Sequence, residues 1–195
     1  MRLFLAVTLA VTCAPMTAAQ NPPLAPYVGV GIGAGQIAAR CDACGGSSWS
    51  DRTLTTTARV GVMLPNSRLG VGVEALLYHA SRKQFTVLTA SISMMLLGGR
   101  VSIGGGVGAA LFRDTVTYIV VPAGTLQTES RTSPSGAAEI HLSTALPVFG
   151  HVALGPYFMY ATSLGGFPSG GRSVDRDILH FGLNVLWRSS RELPN

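Results

Sequence analysis

Four groupings of residues in this chain carry groups able to do chemistry. "CDAC" sets Cys41 three residues before Cys44. Zinc there would need further ligands, and no nearby histidine supplies them. Dithiol redox chemistry would need the motif to open a helix inside a βαβ unit, and no helix-period segment adjoins it. In an oxidising compartment a local disulfide between Cys41 and Cys44, pinning a loop, is the expectation. "YVGVGIGAG" (residues 27–35) places Gly29, Gly31 and Ala34 in a degenerate G-x-G-x-x-A, repeated by Gly104, Gly106 and Ala109. That spacing cradles a dinucleotide phosphate when a helix follows a strand. Glu139 and His141 lie two apart, so on a strand they share a face. Arg59 and Glu74 are the partners expected for them, with His180 and Asn184 completing hydrogen bonds. Finally, "HAS" offers His79 as a base and Ser81 as a nucleophile, a pair that works only when the base is oriented.

The elements that would position these groups are strands. Apolar residues recur with period two throughout and almost nowhere with period 3.6. Val28, Val30, Ile32 and Ala34 line one face of the first segment and the glycines line the other. Similar alternation covers residues 54–64, 69–78, 88–96, 101–111, 137–146, 152–160 and 179–187, eight segments in all. No helix follows Gly35 or Ala110, so neither glycine run has a helix N-terminus to hold a phosphate. Both are read as the small face of a wall. Pro156 is the misfit, because a proline inside a closed sheet removes a ladder donor.

The connections alternate in length. Those after segments two, four and six are tight. Those after one, five and seven are long and rich in Gly, Ser, Arg and Asp, and "HASRKQ" after segment three is intermediate. Short turns at one end and long loops at the other are the pattern of an up-and-down transmembrane barrel. "VTYIVVPAGTL" (residues 116–126) is more apolar than a solvated loop requires, and is expected to extend strands five and six as a hairpin. "SLGGFPSGGRSVDRD" (residues 163–177) reads as a surface loop.

Composition points the same way. Charged residues are 12% of the chain and glycine is 24 of 195, against roughly 25% charged in a soluble domain. A soluble lipocalin-like binder of a small apolar ligand would turn its polar face to water and need charge there. Here that face is mostly Gly, Ala, Ser and Thr, with Arg59, Glu74 and Glu139 occurring singly. It suits a narrow lumen, while the opposite face is nearly free of charge, as lipid contact demands. The formal charge of +5 comes from Arg and Lys placed mostly in loops and turns. No basic stripe with interleaved aromatics marks a nucleic-acid partner. No cofactor and no metal site is expected.

Residues 1–19 read as a secretory signal peptide cleaved before Gln20: Arg2, a short apolar run, then Thr17, Ala18 and Ala19. Cys13 lacks the preceding residues that lipidation requires. Residues 20–195 form one barrel domain.

"HFGLNVLW" (residues 180–187) resembles the C-terminal assembly signal of bacterial outer-membrane barrels, with His180, Gly182, Val185 and Trp187 in the matching places. One departure is that "RSSRELPN" follows the aromatic residue. With the leader and eight segments, the chain resembles the small eight-stranded outer-membrane proteins of the OmpA, OmpX and OmpW class. The resemblance implies an all-β, eight-stranded antiparallel barrel in outer-membrane lipid, delivered by periplasmic chaperones and inserted by the barrel-assembly machinery. The role it implies is structural, surface-interacting or limited to permeation, and not enzymatic. The His-x-Ser at His79 and Ser81 is similar to that of the outer-membrane lipid A deacylases. However, Arg82-Lys83-Gln84 stand where Asn-Ala-Gly usually follows, and no acidic residue follows in the next strand. A rim histidine and a loop serine are therefore expected. For Glu139 and His141 the expectation is a structural interior network, with a proton-linked gate as the alternative.

Overall fold

A computed structural model describes residues 24–41, 47–65, 67–80, 83–120, 125–166 and 175–189. The expected leader, Cys44 and Ser81 lie outside these residues, so the Cys41–Cys44 disulfide and the His79–Ser81 pair do too. The described chain is all strand and turn: β1 (Ala25–Cys41), β2 (Ser47–Met63), β3 (Leu69–His79), β4 (Lys83–Leu96), β5 (Val101–Val120), β6 (Thr125–Thr144), β7 (Leu146–Phe149), β8 (Val152–Gly166) and β9 (Asp175–Arg188).

Consecutive strands pair antiparallel except β6 and β7, which both pair with β8, and β9 returns to β1, closing the sheet. Nine strands make eight staves. β6 pairs with β8 down to Ser143↔Tyr157, and β7 resumes at Leu146↔Leu154 with the residue sum unchanged. Between these two stretches the ladder lapses at Thr144 and Ala145, opposite Pro156 and Gly155. The missing proline N–H explains the lapse. Ala145 directs its own N–H to the carbonyl of Arg100 in the adjoining turn. Pro156 is thus housed by breaking one strand in two, close to its turn end.

The tight turns share one end. Leu97, Gly98 and Gly99 all have positive φ (51°, 62° and 78°), and Gly150 (54°) makes the two-residue turn into β8. At the other end the expected long loops are largely strand. β5 and β6 pair as far as Val120↔Thr125, whereas β4 begins at Lys83 opposite Asp114 and β8 leaves β6 at Ser135. Residues 115–120 and 125–134 therefore stand above the wall as a two-stranded ribbon with no further strand pairing either edge among the described residues. β8 runs to Gly166 and β9 starts at Asp175, so the surface loop expected over 163–177 is shorter than its composition suggested.

Alternation sorts the side chains into two surfaces. Outward stand Val30, Ile32, Leu54, Leu88, Ile92, Val107, Ile140, Phe181 and Leu183, each more than half exposed. Inward lie three layers. Ile37, Leu76, Tyr78, Phe85, Val87, Phe112 and Ile178 fill the ribbon end. Tyr27, Met63, Met95, Ala145 and Leu186 fill the turn end. Between them lies a polar layer. Tyr78, Phe112 and Tyr157 point inward; Trp187 lies on the outer face at the turn end, tilted against His151.

Candidate functional site

The polar layer draws residues from opposite walls. Arg59 (β2) is the cross-strand partner of Glu74 (β3), while Glu139 and His141 project from β6. All four are buried, as are His180 and Asn184 on β9. Three of these bulky polar side chains face a glycine on a neighbouring strand: Gly29 opposite Arg59, Gly104 opposite His141, Gly106 opposite Glu139. A Cβ on Gly104 would stand 2.5 Å from His141 Nε2, and one on Gly29 would stand 2.8 Å from Arg59 Nε. The glycines of both near-motifs hold open the space that the polar side chains fill.

Two carboxylates converge on one imidazole. His141 Nδ1 lies 3.4 Å from Glu74 Oε2 and 3.5 Å from Glu139 Oε1. The Tyr157 hydroxyl donates to Glu74 Oε2 at 2.7 Å. Tyr157 is the hub: its ring lies 6.1 Å from His141, 5.6 Å from His180, and 5.4 Å from the Arg59 guanidinium. Arg59 makes no ion pair with either glutamate among the described residues. Its Nη2 points to Ser143 Oγ at 3.4 Å, so the expected Arg59–glutamate bridge is replaced by a contact with an aromatic face. His180 stands apart from the carboxylates, with Nδ1 2.5 Å from Thr55 Oγ1. Asn184 approaches the backbone of Gly29 from the same layer.

The layer is under-satisfied. Among the described residues, neither oxygen of Glu139 and neither ring nitrogen of His141 has a hydrogen-bond partner, and both side chains are fully buried. Buried carboxylates without partners are costly, and each such atom calls for an explanation. Sequence parity had brought out the ionisable members of this layer. It missed Tyr157 and Thr55, although both lie on the inward parity of their strands; aromatic and hydroxyl types carry no charge signal to single them out.

His79 sits outside the layer, exposed on the outer face. Its Nε2 lies 3.3 Å from Thr56 Oγ1, and no carboxylate bonds it among the described residues. That geometry offers no oriented base.

Comparison with known proteins rests on shape alone. Two solved structures of Ail, the attachment invasion locus protein of Yersinia pestis, match with TM-scores of 0.56 and 0.51. Identity is 16% and 15%, covering 85% and 84% of this chain and 100% and 99% of Ail. The first of these holds the heparin analogue sucrose octasulfate. The fold is that of the small outer-membrane barrels. Neisserial surface protein A also matches, at TM-score 0.49 and 19% identity over 83% of this chain and 97% of that one. No family profile and no curated protein matches the sequence.

Proposed function

We propose that this protein is a non-catalytic barrel of a bacterial outer membrane, with a sealed lumen and a surface-exposed ribbon as its working part. The observation that carries the reading is the outer wall: large apolar side chains stand more than half exposed on strand after strand. A continuous apolar band is what lipid contact requires, and water would not tolerate it. The lumen supports a closed channel, since an apolar layer caps each end of the polar one. Structural and surface-interaction roles are therefore favoured over permeation. Catalysis is disfavoured by His79, which has a threonine and no carboxylate as partner among the described residues.

Orientation follows from biogenesis. The turns lie in the periplasm, and the ribbon of β5 and β6 projects outward. The ribbon, along whose edges no further strand pairs among the described residues, is the place where a partner strand would add. His180, Gly182, Val185 and Trp187 serve as the assembly signal read by the insertion machinery, and periplasmic chaperones carry the chain there. An epitope inserted within residues 121–124 should be labelled on intact cells, and one between Gly150 and His151 only after permeabilisation. Equal labelling of both sites, or recovery of the protein as a soluble periplasmic species, would overturn the reading.

A further inference from the structure

We propose that Glu74, Glu139 and His141 form a binding site for one divalent transition-metal ion of the zinc class, stapling β3 to β6 across the lumen. The three residues offer one nitrogen and two oxygen donors lying within 4.8 Å of one another, all buried. The spacing fits a shared metal ion better than a hydrogen bond. A charge-assisted N–H···O bond is about 2.7–2.9 Å, shorter than the observed 3.4 and 3.5 Å. A single Nδ1–H also cannot serve two carboxylates well. Donors held at ~2.0–2.1 Å on a tetrahedral ion stand about 3.3–3.4 Å apart. The His141–Glu74 and His141–Glu139 separations are those of two edges of such a tetrahedron.

The surroundings agree. Both Glu139 oxygens and both His141 nitrogens lack hydrogen-bond partners among the described residues, although fully buried. A cation would satisfy the carboxylate and one ring nitrogen together. Tyr157 donates to Glu74 Oε2, the orienting hydrogen bond that metal-bound carboxylates commonly receive. Arg59 lies over the Tyr157 ring with its Nη2 at Ser143, and makes no ion pair with either carboxylate among the described residues. Gly104 and Gly106 keep the space beside His141 and Glu139 clear. An imidazole donor selects zinc-like ions over magnesium and calcium, which take oxygen. Because apolar layers cap the site, the ion enters before the barrel closes and then exchanges slowly.

The test is to refold the full mature chain from denaturant into detergent micelles with Co²⁺ or Zn²⁺, strip excess metal, and measure metal content and the Co²⁺ absorption spectrum. One ion per barrel with the intense visible bands of tetrahedral cobalt is expected. His79→Ala should keep the ion, and Glu139→Gln and Glu74→Gln, made separately, should lose it. Migration of unboiled protein shows which variants have folded. A folded wild-type barrel without stoichiometric metal, or with the pale spectrum of octahedral cobalt, overturns the proposal. So does a folded Glu139→Gln barrel carrying as much metal as the wild type. If neither glutamine variant folds, the wild-type stoichiometry and spectrum decide.

Discussion

The outer and inner faces of this barrel are built from the same strands under opposite rules. On the outer face, Val107 of β5, Ile92 of β4 and Ile140 of β6 touch their neighbours loosely and are largely exposed. Any apolar residue of similar length meets that requirement, so the face is redundant. On the inner face, each position is fixed by what stands opposite. Gly104 is small because His141 is large, and Gly33 meets Gly182 in register because their strands leave no room for a side chain. The difference teaches that the wall is specified by pattern and the lumen by particular pairs.

Substitutions that cross the two rules should separate them. The largest effect is expected for Gly182→Val, whose side chain would run into the Ile32 carbonyl and the Gly33 backbone. Loss of the folded, heat-modifiable form is expected, and normal folding would show that the lumen is looser than described. Leu76→Ala empties part of the ribbon-end layer, where Leu76 is fully buried. It should cost about 2–5 kcal/mol in unfolding free energy, measured by denaturant titration in detergent or lipid. Val107→Arg, at mid-height on the outer face, should cost about 2–4 kcal/mol in a bilayer. Val107→Leu at the same place should fall within ~0.5 kcal/mol of wild type. A tolerated arginine there would contradict lipid contact.

Smaller effects sharpen the contrast. Tyr157→Phe leaves Glu74 without its donor, and should cost about 1–3 kcal/mol in the same titration. Leu97 adopts a positive φ while 74% exposed in the turn between β4 and β5. Leu97→Asn should therefore stabilise by up to ~1 kcal/mol, because asparagine accepts that backbone region more readily.

Much of the outer face was legible in the sequence, because period two over eight segments leaves little choice of architecture. The glycine runs were legible too, once no helix followed them. Pro156 was recognised as awkward, but its remedy, a stave broken at Thr144 and Ala145, needs the register of a strand distant in sequence. The apolar layers at the two lumen ends were hidden for a different reason. At Leu76-Leu77 and around Phe85 and Val87 both faces turn apolar, so alternation no longer says which side is inside. Arg59 was expected beside Glu74 or Glu139; it stands opposite Glu74 in register, while its guanidinium lies over the Tyr157 ring. Tyr157 arrives from β8 across the lumen, and it offers Arg59 a ring face and takes up Glu74. Adjacent positions on a sheet are readable from parity, whereas contacts across the barrel depend on curvature and closure.

The most direct measurement expresses the full-length chain, isolates outer membranes, and compares unboiled with boiled samples on a detergent gel. A closed barrel resists detergent until heated, so a faster unboiled band in the membrane fraction is expected. Recovery in the soluble periplasm, with no shift on heating, would contradict the apolar wall as a lipid-facing surface.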